Sequence, residues 1–322
     1  MQIAEEQLGA CGGELLPESR GIRLRGWRFE CNHGPIAGVA ELHKLSERLA
    51  EAAGTVAGAP LPEAIFAQNW VQLSHEESGI TLSFAAQGAL TWWATESAKH
   101  GSAGLQVPVA SRPAWREHVQ QQLEGSRDFD WTFSTNYAGD CDYNAPRIPH
   151  ARSRGKDPDG KHSGSSGSDG GSEQLLWLPH RGRGLDMTLL RRTDLPILCF
   201  VDLTLYSDDL RAFGESELRL RLRIMPQCFF ILMRHWLRVD GVLIRQRDTR
   251  VFHKFGENRI IRAQRLSEAA LPPLPPLMAP FPSGADELPP PPLAGTIPTE
   301  EQAAECLAAL PPRMQLIEEL QL

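Results

Sequence analysis

Apolar and polar positions alternate most regularly over residues 223–253, which read RIMPQCFFILMRHWLRVDGVLIRQRDTRVFH. Two apolar-rich segments lie on either side of Asp240 and Gly241. An Asp-Gly pair in this setting is the strongest short-range signal for a two-residue hairpin turn. The pattern therefore predicts two antiparallel strands with Val239 opposite Val242, one mainly apolar face and one face rich in arginine.

The arginines of this region recur at alternate positions. In the predicted register Met233 faces Asp248 on the apolar side, and the other side carries four arginines: Arg234, Arg238, Arg245 and Arg247. The segment ELRLRLRI adds three more on a similar face: Arg219, Arg221 and Arg223. The solvated face of a half-buried sheet explains this alternation. The functional alternative is a docking surface for an acidic partner or for a nucleic-acid backbone.

The remaining pattern predicts more strands than helices. Strands are expected in residues 21–30, on both sides of a turn at 76–79, and in 129–137, 197–206 and 217–224. Helices are expected in residues 41–53, 88–100 and 115–123. Because neighbouring strands mostly join by short turns, the predicted fold class is α+β: a mainly antiparallel β-sheet with a few flanking helices in a single domain.

Polar, glycine-rich and proline-rich stretches divide the chain. Residues 1–20 are expected to be flexible, and residues 21–266 to form the domain. Within that domain, residues 145–173 have too few apolar side chains to offset the entropy cost of ordering, so a disordered insertion is predicted. Residues 267–322 read as a tail with polyproline segments, ending in an amphipathic helix predicted within 299–322 that two adjacent prolines interrupt.

Composition limits the functional classes. The 322 residues carry a net charge of −7, which does not suit general binding to nucleic acid or to an anionic membrane. The six cysteines are scattered without a C-x-x-C pair, as is typical of reduced, intracellular proteins. The N-terminal residues lack the apolar core of a secretory signal, and no run approaches the ~18 apolar residues of a membrane span. We expect the protein in the cytoplasm, and also in the nucleus.

No catalytic motif emerges from the sequence. There is no phosphate-binding loop, no H-E-x-x-H and no G-x-S-x-G. Cys141 lies between Asp140 and Asp142, which should raise the thiol pKa and disfavour a nucleophile. His235 and His253 fit satisfied, buried histidines better than metal ligands. No catalytic residue, cofactor or metal is therefore predicted.

The run at 223–253 resembles the TIPRL family of TOR-signalling regulators. Three further segments agree in the same order: LPEAIFAQNWVQLSH from Leu61, SGITLSF from Ser78 and DFDWTFSTNYAG from Asp128. The resemblance implies a non-enzymatic regulator that binds catalytic subunits of type 2A protein phosphatases (the 2A, 4 and 6 relatives). It also implies competition or cooperation with the Tap/alpha-type phosphatase-associated subunit. The metallophosphatase signatures G-D-x-H-G and G-N-H-E are absent, so the phosphatase chemistry and its metal are expected in the partner.

The resemblance also implies where the partner binds. Six residues are the candidates for partner binding: Asp248, Gln246, Arg247, Leu185, Asp186 and Gly88. Gln246-Arg247 departs from the Met-Asn of the family pattern, and Gly88 stands where better-known members carry an aspartate. The alternative for Asp248 is a strand-end aspartate bonded to Thr249 or Arg250. The alternative for Leu185 is a buried strand residue.

Overall fold

The computed structural model describes residues 1–17, 20–55, 60–100, 132–143, 177–182, 185, 188–189, 192–210, 214–240, 242–270, 307 and 311–322. The elements follow one another as β1 (Gln2–Ile3), α1 (Glu5–Ala10), β2 (Glu14–Leu15), β3 (Gly21–Leu24), β4 (Trp27–Asn32), α2 (Val39–Ala53), β5 (Ala64–Ile65), β6 (Trp70–His75), β7 (Ile80–Ala85), α3 (Ala86–His100), β8 (Asp140–Tyr143), β9 (Leu178–Pro179), β10 (Cys199–Asp208), β11 (Gly214–Met225), β12 (Cys228–Val239), β13 (Leu243–Lys254), β14 (Arg259–Ala270) and β15 (Met314–Gln321). The predicted α+β class is confirmed. No helix within these ranges combines the length and hydrophobicity that a membrane crossing requires.

The described strands form two antiparallel sheets. The larger sheet runs β1-β10-β11-β12-β13-β14-β15-β9, with β5 also paired to β10, and the smaller runs β2-β3-β4-β6-β7-β8. In β11 the alternation of leucine and arginine fixes the two faces of the larger sheet. The inner face carries Leu218, Leu220 and Leu222, all buried. The face opposite, which we call the outer face, carries Arg219, Arg221, Arg234, Asp248 and Arg250.

The inner face of the larger sheet joins the smaller sheet in one hydrophobic core. Trp27 on β4 is fully buried, and its ring meets Phe229 on β12 edge-on, with centroids 5.0 Å apart. Phe29 lies 5.4 Å from the same Phe229 ring. Large aromatic side chains bury much apolar area and add favourable edge-to-face contacts. This aromatic contact fixes the sheets to each other, and the outer face lies on the far side of the larger sheet, where Leu185 and Leu307 cover parts of it.

The predicted hairpin forms, but its register differs by one residue. Val239 pairs with Leu243, which leaves three loop residues instead of two. The Val242 N–H donates to the Val239 carbonyl at 3.0 Å and closes this loop. The predicted pairing of Val239 with Val242 is therefore wrong, although strand positions and direction are confirmed.

The shift changes which side chains share a face, because strand side chains alternate with a period of two. Asp248 stands opposite Arg234 instead of Met233, and Gln246 shares that outer face. Arg245 and Arg247 move to the opposite face. The ion pair between Arg234 and Asp248 accompanies the observed register, whereas the predicted register would set that carboxylate against a thioether.

The sequence predicts a strand over residues 129–137, and no strand forms in the described part of it, residues 132–137. The Thr132 carbonyl accepts from Ser216 Oγ at 2.6 Å, and the Phe133 carbonyl accepts from the Tyr206 hydroxyl at 2.8 Å. Phe133 has a φ of 44°, outside the extended region. Side-chain hydroxyls thus take carbonyls that a sheet ladder would use.

Both chain ends differ from prediction. The described residues 1–17 differ from the flexible start expected for residues 1–20, because β1 pairs with β10 and α1 buries Leu8. The terminal helix in 299–322 is wrong over residues 314–321, which form β15 against β14. The pattern MQLIEELQ fits either element, and β14 supplies the backbone partners that favour a strand. Leu307 is helical. The predicted insertion 145–173, the helix at 115–123 and most of the tail lie outside the described residues.

Candidate functional site

The candidate site is centred on the Asp248 carboxylate, on β13 at the outer face. Its side chain is 2% exposed. Arg234 on β12 donates from Nε to Oδ1 at 2.8 Å and from Nη2 to Oδ2 at 3.1 Å. Arg250 Nη2 donates to Oδ2 at 2.8 Å, and Gln246 Nε2 does so at 3.3 Å. Asp248 is therefore a buried anchor for two guanidinium groups, whose side chains are 19% and 29% exposed.

A second carboxylate holds two further arginines on the same face. Asp202 on β10 accepts from Arg219 Nε at 2.7 Å and Nη2 at 3.1 Å, and from Arg221 Nε at 3.2 Å. The two arginine side chains remain 36% and 40% exposed. Charge-assisted bonds of this kind fix the direction of a guanidinium group.

An apolar groove adjoins these arginines. It has a volume of about 220 Å³ and is lined by Phe200, Arg221, Arg223, Phe230 and Leu232. A neighbouring pocket of about 360 Å³, which also includes Phe200 and Arg223, extends toward the β1 edge. The outer face thus presents apolar surface next to anchored positive charge.

Leu185 reaches the same region. It packs against a buried cluster on the larger sheet: Met225, Cys228, Phe230 and Phe252. Leu232, which pairs with Arg250 across the strands, packs on that cluster too. The structure therefore brings Leu185 to the side of the sheet that carries Asp248 and Gln246. Asp186 lies outside the described residues.

Arg247 lies on the opposite face of β13. Its side chain is 9% exposed and donates to Asn136 Oδ1 and, at 3.1 Å, to Gln264 Oε1. Its buried Nε finds no acceptor among the described residues. Burial, with a smaller contribution from Arg245, lowers the Arg247 pKa to about 10. The sequence groups Arg247 with Gln246 and Asp248 as partner-binding candidates. In the observed register Arg247 lies on the opposite face of the sheet from both of them.

His235, which pairs with Arg247 across the strands, is a satisfied core histidine. Ser216 Oγ already donates to the Thr132 carbonyl, so His235 Nε2–H donates to Ser216 Oγ at 3.3 Å. Burial, then Arg245 and Arg247, lowers the His235 pKa to about 3. His253 donates from Nδ1 to the Arg259 carbonyl at 2.9 Å. These contacts agree with the structural interpretation of both histidines.

Gly88 lies apart from the Asp248 centre. It is in the first turn of α3, which follows directly from β7 of the smaller sheet. Around it stand Tyr137 and Asp140, with no outer-face arginine among the described residues that line its pocket. The five predicted positions that the structure describes therefore do not form one cluster.

Sequence reasoning named Arg250 only as an alternative bonding partner of Asp248, a bond that the structure shows, and it missed the Asp202 anchor and Phe200. The spacing Gln246-x-Asp248-x-Arg250 places three polar groups on one strand face, so it contained a usable signal for Arg250. Asp202 is far from Arg219 in sequence, and only the pairing of β10 with β11 brings them together.

Two further places in the described part of the chain carry side chains that could take part in chemistry, and the contacts at both fit structural roles. Burial raises the Cys141 thiol pKa to about 11, with Asp142 adding to the shift and Arg262 opposing it. An acidic group of Glu63, Asp208 and Asp209 lies beside β5 and β10. Asp208 accepts there from the Glu63 N–H at 3.1 Å and the Leu210 N–H at 2.7 Å, so it secures the local backbone.

The nucleic-acid alternative gains no support from this geometry. Its arginine face requires Arg234, Arg238, Arg245 and Arg247 on one side, and the register separates the last two from the first two. Arg234 is paired with Asp248, and Arg238 with Asp240 at 3.1 Å. Acidic partners within the sheet therefore interrupt the row of positive charge that a phosphate backbone would follow.

Comparison with known proteins gives a consistent result. A family model described as the TIP41-like family matches residues 64–274. A TIP41-like protein of Arabidopsis thaliana is 31% identical over 257 residues, which cover 80% of this chain and 79% of the relative. The human TIP41-like protein is 26% identical over 248 residues, covering 76% and 75% of the two chains. The Saccharomyces cerevisiae relative, named type 2A phosphatase activator TIP41, is 25% identical over 279 residues, covering 79% and 67%.

Proposed function

The chain belongs to the TIP41-like family, and from this we propose that it is a non-enzymatic regulator that binds the catalytic subunit of type 2A protein phosphatases. The name of the yeast relative, a type 2A phosphatase activator, is the observation that carries the proposal. The proposed partners are the catalytic subunits of the 2A, 4 and 6 phosphatases, with the Tap/alpha-type subunit competing or cooperating. The proposed setting is TOR signalling in the cytoplasm and nucleus.

The outer face is the proposed contact surface. Asp248 and Asp202 each hold two guanidinium groups in fixed directions, so less side-chain entropy is lost when a partner binds. The groove lined by Phe200 and Phe230 supplies apolar contact beside them. Such a surface fits a partner segment that combines acidic and apolar side chains.

Within this surface the predicted residues take different roles. Asp248 is too buried to form much of a contact itself, so it acts by orienting Arg234 and Arg250. Leu185 supports the apolar groove through the Phe230 cluster. Arg247 supports the sheet from its inner side by bonding Asn136 and Gln264.

The test is a binding titration of the purified full chain with a purified type 2A catalytic subunit. We expect the double variant Arg221→Ala, Arg250→Ala to weaken binding at least about tenfold, since it removes two partly exposed positive charges from the outer face. The matched control is Arg28→Ala, whose exposed guanidinium pairs with Glu30 on the smaller sheet. Equal affinities for the double variant and the control would exclude the outer face as the contact surface. No binding by the wild type would exclude the function.

A further inference from the structure

A further open cavity lies at the start of α3, away from the outer face. Its volume is about 610 Å³, and its lining includes Gly88, Thr91 and Trp92 from α3 together with Tyr137 and Asp140. Trp92 is half-buried, while Asp140 is exposed at the rim. The cavity therefore combines an aromatic wall with an accessible carboxylate.

The absence of a side chain at Gly88 allows this arrangement. A Cβ at residue 88 would stand 2.7 Å from the Tyr137 hydroxyl oxygen and 2.8 Å from Asp140 Oδ2. The Tyr137 hydroxyl donates to Asp140 Oδ2 at 2.7 Å and lies 3.2 Å from the Ser83 carbonyl. Tyr137 is buried, so it holds the carboxylate from below. Among the described residues none donates to Oδ1 of Asp140, which leaves the lone pairs of that oxygen for a ligand.

The charged side chains of the described cavity lining are acidic, and Arg48 lies nearby, where it donates to the lining residue Gln87 at 3.4 Å. Partial burial raises the pKa of the Asp140 carboxyl, the bond from Tyr137 lowers it, and the nearby Asp142 raises it. The lining residues include Asp140 and Glu96 but neither lysine nor arginine, within the described part of the chain. A carboxylate beside an indole ring is the arrangement that attracts a cation, through both ionic and cation–π interaction.

We propose that this cavity receives an arginine side chain of the bound phosphatase catalytic subunit, a contact that rests on the proposed function. The planar guanidinium lies along the Trp92 ring and donates to Asp140, which a compact ammonium group does less well. Charge complementarity argues for a basic occupant. The volume exceeds what one side chain fills, so residues flanking the arginine enter as well.

The first test uses the full chain and the purified catalytic subunit. Asp140→Asn keeps the acceptor for Tyr137 and removes the charge, so we expect binding to weaken about threefold to tenfold and to depend less on salt. Glu6→Gln, an exposed acid on α1, is the matched control and should bind like the wild type. Thermal unfolding of both variants checks that they are folded.

The second test does not require the phosphatase. N-acetyl-arginine amide is titrated into the full chain while the Trp92 indole signal, assigned with Trp92→Phe, is followed by NMR. We expect a saturable shift in the millimolar range, a weaker one with the lysine analogue, and none with the neutral citrulline analogue or with Asp140→Asn.

The outcomes separate the two ideas. If the phosphatase binds the wild type and Asp140→Asn equally, the cavity is not the contact and the proposed function stands. A citrulline shift equal to that of arginine would overturn charge recognition in the cavity. If the wild type binds no phosphatase, the proposed function fails, and the phosphatase cannot be the protein whose arginine enters the cavity.

Discussion

The buried Asp248 carboxylate makes a specific prediction about stability. Asp248→Asn replaces a charged acceptor by a neutral amide of nearly the same shape. Four hydrogen bonds reach the carboxylate, two from Arg234 and one each from Arg250 and Gln246. Asparagine keeps one acceptor oxygen, and its amide group turns donors toward a guanidinium that also only donates.

The expected magnitude follows from burial. Removing one partner of a fully buried ion pair costs about 3–5 kcal/mol, because the remaining charge is left uncompensated. Here Asp248 is 2% exposed, but the two arginine side chains are 19% and 29% exposed, so water compensates them in part. We therefore expect the free energy of unfolding to fall by about 2–4 kcal/mol. Each kcal/mol corresponds to about 2–4 °C in Tm for a domain of this class.

Urea denaturation followed by circular dichroism measures this change. The matched control is Asp194→Asn, because Asp194 also bonds an arginine, Arg192, through both of its oxygens but is 62% exposed. We expect the control to leave the midpoint unchanged within error. If Asp248→Asn destabilises the protein no more than the control does, Asp248 is not an anchor, and the proposed orientation of Arg234 and Arg250 fails with it.

Three other predictions concern the fold. The His235 pKa of about 3 lies below its unfolded value near 6.5, so the unfolded chain binds the extra proton and stability should fall between pH 6.5 and 3. His235→Gln should reduce that fall, measured as unfolding free energy at pH 7 and pH 5, and an unchanged pH dependence would contradict the assignment. Gly214→Ala should cost at least about 2 kcal/mol in urea denaturation, because its Cβ would stand 2.0 Å from the Arg238 carbonyl oxygen, whereas Gly9→Ala meets no atom and should not. Deleting residues 314–322 should lower Tm and promote aggregation on gel filtration, since it exposes the edge of β14 and removes the buried Leu320; a monodisperse protein with unchanged Tm would refute this.

The strands of the larger sheet could be predicted because alternation is a local signal. In β11 each leucine faces the core and each arginine the outer face, as the period of two requires. The hairpin register could not be predicted in the same way. An Asp-Gly pair marks a turn, but the length of the loop depends on which contacts form between side chains of the two strands. Here that contact is the ion pair of Arg234 with Asp248.

The chain ends show a similar limit. The segment MQLIEELQ has an amphipathic pattern that suits a helix as well as a strand, and its choice depends on β14, which is distant in sequence. For residues 1–15 the sequence offers only short elements, and their order comes from the pairing of β1 with β10 and the burial of Leu8. Such long-range pairings leave no local pattern.

The candidate site was predictable in part. The resemblance placed Gln246, Asp248 and Leu185, and the structure brings these three to one side of the larger sheet. The resemblance also grouped Arg247 with these three residues. In the observed register Arg247 lies on the opposite face, because strand side chains alternate with a period of two. Partner contact by any of these residues stays a prediction, and the structure adds what each would do: anchor a guanidinium, support a groove or hold the inner side of the sheet.

Sedimentation velocity of the purified full chain mixed in equal amounts with a purified type 2A catalytic subunit tests the central proposal most directly. We predict a single faster species containing both proteins, stable at micromolar concentration, with the Arg221→Ala, Arg250→Ala variant shifted toward the free components. Two independent boundaries at the positions of the separate proteins, for the catalytic subunits of all three phosphatases, would contradict it.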